Sequence, residues 1–239
     1  VATISRDYYG SVNKICEGLN LTVLGYEDTI SYHLFDAFDE LMTSDIVPFH
    51  HLIEKMRLVK DSTEINKLRA AAELQSAGYD YFLSIVHPGI TERELAIKLD
   101  YWMKMQGASG PSFPTIVASG ANSAKPHATA SSKPIADGDV VTLDFGYYLD
   151  GYTADMTRTF AVGSIDPELR DIYKIVNEAR QLVIDHAKVG IRGNELDAYG
   201  RALIEEAGYG DEFNHGMGHG IGLAVHELPA TYAPGTKRV

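Results

Sequence analysis

Cysteine is almost absent from this sequence: Cys16 is the sole thiol among 239 residues. One thiol makes no internal disulfide, so the fold must rest on a packed core, and a reducing, cytoplasmic setting is the expectation. Long apolar runs are missing too. Nothing approaches the ~20 consecutive apolar residues of a membrane span, and no secretory leader pattern is visible. Positive charge is in deficit, with 21 basic against 33 acidic side chains and a formal net charge of -12. Such a surface repels phosphate backbones and anionic lipid, which argues against nucleic acid and membrane as partners. Several signatures are also lacking: there is no Walker lysine, no GxGxxG after a strand and no GxSxG elbow. What remains, 45% hydrophobic and 23% charged residues, suits a globular core.

The hydrophobic pattern divides the chain. Residues 1–52 read as mixed α/β, with a helix over 7–17, a short apolar strand over 21–25 and a helix over 31–42. That piece is too small to hold a good core alone, and it reads as the C-terminal part of a larger N-terminal domain. Residues 53–239 read as the main domain. Asp61, Ser62 and Glu64 open a long helix whose expected apolar stripe is Ile65, Leu68, Ala72, Tyr79, Phe82 and Val86. Pro88-Gly89 stops it, and Thr91 with Glu94 forms a capping box for a second helix ending at Gly107. Strand candidates follow at 115–119, 140–145 and 152–162, with Asp150-Gly151 as a hairpin turn between the last two. A second helix pair is expected next. Its first stripe is Leu169, Ile172, Tyr173, Val176, Ala179, Val183 and Ala187, and Asn194 caps its second helix. The pairs match at a fixed offset of 101 residues, Gly89-Ile90 against Gly190-Ile191 and Glu94-Leu95 against Glu195-Leu196. That favours a duplication, with two pseudo-symmetric halves and a site where they meet.

The acidic pair Asp144 and Asp155 can be placed by counting. If Asp150-Gly151 is a two-residue loop, Leu149 faces Tyr152 and Asp144 faces Thr157. Asp155 then lies on the same strand face, with its Cβ roughly 7 Å or a little less from that of Asp144. Two bare carboxylates so close repel, and a pair of divalent cations between them removes the repulsion. The alternative is a pair of solvated acids on an exposed face. A three-residue loop would abolish the argument.

Histidines add to the pair. Residues 215–227 read HGMGHGIGLAVHE, placing His215, His219 and His226 within twelve positions. The alternating glycines argue against helix and for a loop entering a strand, where backbone approaches a ligand closely. A further histidine, His127, lies in a loop of small residues. Oxygen and imidazole donors without a cysteine pair suit Mn, Co, Fe or Zn. A metal pair generates hydroxide at neutral pH and polarises a carbonyl, so amide hydrolysis is the natural reaction class.

These segments resemble a known family. LDFGYYLDGYTADMTRTF (143–160) is similar to the paired-aspartate motif of the M24 "pita-bread" metallopeptidases. HGMGHGIGLAVHELP (215–229) is similar to their histidine motif, in the form found in prolidases and aminopeptidase P. SGANSAKPHA resembles their substrate-side histidine loop, and LIEKMRLVKDSTEI resembles the join between their two domains. The resemblance implies an α+β fold in which pseudo-twofold helix pairs lie on a curved antiparallel sheet. It implies Asp144, Asp155 and His219 as metal ligands for two divalent ions, manganese first, with Co, Zn or Fe as substitutes. It implies His127, His215 and His226 as residues that hold substrate and stabilise the tetrahedral intermediate, with Thr157 behind the metals. The implied activity is attack by a metal-bridging hydroxide on Xaa-Pro bonds of dipeptides or short peptides, most simply as an Xaa-Pro dipeptidase, in a homodimer. Xaa-Pro aminopeptidase, a metal-free creatinase-like hydrolase and a non-catalytic binding domain are the alternatives. The family's ligand set has five members, two of them glutamates beyond the histidine motif, and Glu227 occupies neither position. The expectation is therefore a chain cut short at both ends, with weak metal binding and negligible turnover by itself.

Overall fold

The computed structural model describes residues 7–231. The chain divides into two compact units, Val1–Met56 and Arg57–Val239.

In the first unit, α1 (Tyr8–Gly18) starts where the Asp7 carboxylate accepts from the Gly10 amide at 2.9 Å. Ser31 caps α2 (Tyr32–Leu41) in the same way. Tyr8 and Tyr9 meet Phe38 edge-on, which packs the two helices together. Between and after them, β1 (Val23–Glu27) and β2 (Asp45–Phe49) pair in parallel. The expected strand over 21–25 is thus shifted by two residues. β2 carried no sequence signal, because Pro48 lies inside it. Short helix α3 (Leu52–Arg57) follows.

The second unit is organised around a hairpin. β5 (Val140–Leu149) and β6 (Tyr152–Ala161) pair antiparallel along their whole length, with Leu149 opposite Tyr152. Asp150 and Gly151 have φ of 50° and 81°. Both lie in the left-handed region that a two-residue type I′ turn demands. On its other edge β5 pairs with β4 (Ile116–Ser119) near its start and with β3 (Gly110–Pro111) near its end.

Helices α4 (Ser62–Ile85) and α5 (Glu92–Met105) cover this sheet. Both open on the expected capping boxes, Asp61 with Glu64 and Thr91 with Glu94. Phe82, Leu95, Leu99 and Met103 pack against Val141, Leu143 and Phe145, all with no exposed surface. The expected stripe on α4 needs correction. The buried row is Ala71, Gln75, Gly78 and Phe82, while Ile65 is 45% exposed. The reason is close approach. At Gly78 a Cβ would sit 2.5 Å from the Met103 sulfur of α5, so no side chain fits where the two helices approach there. Gln75 reaches across and donates to the Phe145 carbonyl.

Helices α6 (Pro167–His186) and α7 (Gly193–Glu206) repeat the helix-pair outline. The expected cap at Asn194 is also corrected. The helix begins at Gly193 after Arg192, which makes no side-chain cap bond, and Asn194 lies inside the first turn. The chain then runs through a short antiparallel pair, β7 (Gly218–Gly220) and β8 (Glu227–Thr231).

Candidate metal centre

The hairpin register places the two acids as counted from the sequence. Asp144 on β5 faces Thr157, and Asp155 on β6 faces Gly146. The Thr157 hydroxyl donates to the Asp144 carboxylate at 2.8 Å. That bond fixes one oxygen of the carboxylate. Burial pushes the Asp144 carboxyl above its usual range, and the neighbouring charge of Asp155 pushes the same way. The Thr157 hydroxyl, His127 and His219 oppose the shift without cancelling it. Asp144 therefore sits where a positive charge is wanted.

His219 comes to the pair from β7. Its Nε2 lies 3.3 Å from the Asp155 carboxylate, with both side chains largely covered, 27% and 22% exposed. Its Nδ1 lies 3.0 Å from the Gly220 carbonyl oxygen. A carbonyl only accepts, so Nδ1 carries the hydrogen and Nε2 is left as the second nitrogen. In the neutral ring Nε2 is then an acceptor facing an acceptor. A proton or a cation must sit between them. The bond to Asp155, against the opposing effect of burial, holds the His219 pKa above its usual value.

The other expected residues are placed less tightly. His226 stacks obliquely on His219, ring centroids 4.2 Å apart. His127 is exposed and within electrostatic reach of Asp144. His215 packs edge-on against Phe213, and its Nδ1 is 2.9 Å from the Gly216 carbonyl. Asp144, Asp155 and His219 are thus brought together, with His127 and His226 beside them. The chemistry of this donor set, two carboxylates and an imidazole, suits a hard-to-borderline divalent cation. Among the described residues no group of three or more His, Cys, Asp or Glu closes into a ready-made metal cluster.

Polar residues that periodicity passed over hold the loops in place. Asp197 on α7 is fully buried; it accepts from Arg201 at 2.7 Å and from the Met217 amide at 2.9 Å. Arg201 in turn donates to the carbonyls of Phe213 and His215. In sequence the two are an i, i+4 charge pair, which reads as helix surface. Glu227 accepts from Arg57 and Lys60 and from the Ala224 amide, which anchors the segment next to His226.

The profile of metallopeptidase family M24 matches residues 66–239. The Xaa-Pro dipeptidase of Pyrococcus furiosus is 41% identical over 213 residues, which is 88% of this chain and 61% of that protein. Among solved structures, the Xaa-Pro dipeptidase from Bacillus anthracis has 43% identity and a TM-score of 0.93 over 95% of this chain and 64% of its own. The X-Pro aminopeptidase from Thermotoga maritima has 36% identity and a TM-score of 0.87 over 97% of this chain and 66% of its own. The chain therefore spans about three-fifths of the length of the curated relative. The α+β pita-bread architecture expected from the motifs is the one these neighbours share. With its motifs, its hairpin and its profile match in agreement, the chain belongs to metallopeptidase family M24.

Proposed function

We propose that the protein hydrolyses Xaa-Pro bonds with two divalent metal ions, as an Xaa-Pro dipeptidase. The observation that carries the reading is the approach of His219 Nε2 to Asp155 at 3.3 Å beside Asp144. Asp144, Asp155 and His219 would hold the ions, manganese first, with Co, Zn or Fe as substitutes. When bound, such a pair draws a nucleophile from water at neutral pH and polarises the scissile carbonyl.

The chain's own residues have separate duties in this reading. Thr157 orients Asp144 by donating to one of its oxygens. The Gly220 carbonyl fixes the His219 tautomer, so that Nε2 is the donor nitrogen. His127, His215 and His226 hold the substrate and the oxyanion that develops on its carbonyl. A tertiary Xaa-Pro amide has no N–H to offer, so recognition falls on the ring and the two termini. The 41% identity to an Xaa-Pro dipeptidase supports the dipeptide substrate. The neighbour described as an X-Pro aminopeptidase supports the second reading, in which longer peptides are trimmed. Residues 1–52 as part of an N-terminal domain, a homodimer and a cytoplasmic location belong to the same proposal on the family resemblance alone.

Calorimetric manganese titration and cleavage of Xaa-Pro dipeptides against longer Xaa-Pro peptides test the whole reading. The full-length protein should bind manganese and prefer the dipeptide. Failure of the full-length protein to bind any transition metal at neutral pH would sink it.

A further inference from the structure

Glu92 is a buried carboxylate that the chemistry above leaves unused. It is the first residue of α5 and has no exposed surface. Its Oε1 accepts from the Ser119 amide at 2.7 Å and the Ser119 hydroxyl at 2.8 Å. Its Oε2 accepts from the Ser131 amide at 3.0 Å and the Ser131 hydroxyl at 2.6 Å. The Asn122 amide group reaches both oxygens at 3.2 Å. Burial by itself would push this carboxyl up, yet the serine donors outweigh it and hold Glu92 below its ordinary range. The residue is thus a fixed anion, without a direct cationic partner in these bonds.

The placement of those donors matters more than their number. Ser119 ends β4, Asn122 lies in the 3-10 turn Gly120–Ala124, and Ser131 lies beyond the loop. Glu92 therefore ties together the two ends of the segment that carries His127. Ala128, next to His127, packs on Ile116 and Ala118 of β4. Ile116 in turn is the register partner of Asp144. A continuous path runs from Glu92 through the loop ends to the side of the acidic pair that His127 faces. Helix α5 is itself seated on the sheet core through Leu95, Leu99 and Met103. The clamp thus refers the loop to the buried core of the unit.

We propose that Glu92 is a positioning residue that sets His127 against the substrate by clamping residues 119–131 into one conformation. The inference rests on the peptidase reading. The donors around both oxygens make the negative acceptor essential. A glutamine at 92 turns its NH₂ group against an N–H or O–H and leaves buried groups unpaired.

The test uses the full-length protein with manganese and an Xaa-Pro dipeptide. Glu92→Gln should lower kcat/KM by about 10- to 100-fold, the range for partners that orient site groups. Manganese affinity measured by calorimetry should stay within about twofold, because the clamp does not touch Asp144, Asp155 or His219. In the His127→Ala background, Glu92→Gln should cost less than about twofold more, since its effect passes through that ring. A full additive loss there, or a matching loss of manganese affinity, overturns the proposal in favour of a general structural role. Ser131→Ala, which removes one hydroxyl donor and keeps the amide, repeats the cycle if Glu92→Gln does not fold. If the wild-type protein turns over no Xaa-Pro substrate, it is the peptidase reading that fails. The clamp is then judged on amide exchange: unchanged exchange over 120–130 in the metal-free Glu92→Gln protein overturns it as well.

Discussion

The two helix pairs share an outline and differ in what covers them. Helices α4 and α5 lie on a four-stranded sheet, and Phe82, Leu95, Leu99 and Met103 lose all contact with solvent. Helices α6 and α7 bury little: Ala179 on the first, and Asp197, Gly200 and Ile204 on the second. On α6, Leu169 is 43% exposed, Tyr173 49% and Val176 52%. The apolar stripe of α6 is as regular as any in the chain. Periodicity marks the face a helix is able to bury, while burial itself needs a partner surface. Beside the second helix of this pair lies the 213–217 segment, where Asp197 accepts from the Met217 amide and Arg201 donates to the carbonyls of Phe213 and His215.

The proposed site draws on both halves, which is the first way to test the comparison. Asp155 belongs to the covered sheet and His219 to the segment after the second helix pair. Asp155→Asn removes the acid that joins them without touching either apolar face. In the full-length protein with manganese, turnover should fall to background while the melting temperature hardly moves. Wild-type rates in that variant would contradict the metal pair. A large fall in melting temperature would instead mean that the Asp155–His219 contact holds the halves together.

The next largest effect should separate cores. Phe82→Ala removes a fully buried ring packed on the sheet, and about 3–5 kcal/mol of stability should go with it. Urea unfolding of the 239-residue chain reads this directly. A loss near 1 kcal/mol would mean that the covered half is no better packed than the bare one.

The sequence was legible where local chemistry sets geometry. Asp150-Gly151 fixed the hairpin register, and the register alone put Asp144 opposite Thr157 and brought Asp155 to the same face. Asp61 and Thr91 announced helix starts because a capping side chain bonds within its own turn. It was illegible where a polar or small residue is buried. Gln75, Gly78, Glu92 and Asp197 all sit inside, and none contributes to an apolar period. Their reasons lie across the fold: a strand carbonyl, a methionine sulfur, a loop clamp, the Met217 amide. Strand β2 was hidden for a related reason, since Pro48 breaks the local pattern while the parallel partner β1 supplies the pairing. Which face of α6 would be covered was never a local question.

Glu227 gives a smaller, pH-dependent test of how the His226 segment is anchored. Burial would raise its pKa, but the Ala224 amide, Arg57 and Lys60 win and bring it down to about 2 from 4.5. A depressed folded pKa stabilises the ionised state. The contribution is fully present above pH 4.5 and is lost as pH falls from there through about 2. It is on the order of 2 kcal/mol. Glu227→Gln should therefore lower stability at pH 7 and flatten the acid limb of the unfolding profile between those values. An unchanged limb would show that Arg57 and Lys60 are satisfied by solvent instead.

The smallest effect is expected on the bare face, and it decides the comparison from the other side. Val176 is 52% exposed on α6. Truncating it to alanine forfeits half the burial of two methyl-sized groups, about 0.8 kcal/mol. Alanine returns most of that through its better helix propensity, about 0.6 kcal/mol over valine. The balance is near zero, so urea unfolding of Val176→Ala in the 239-residue chain should stay within about 0.5 kcal/mol of wild type. A loss of 2 kcal/mol or more would require a surface lying against Val176 in solution. The difference between the two helix pairs would then be one of which partner covers them, not of whether they are covered.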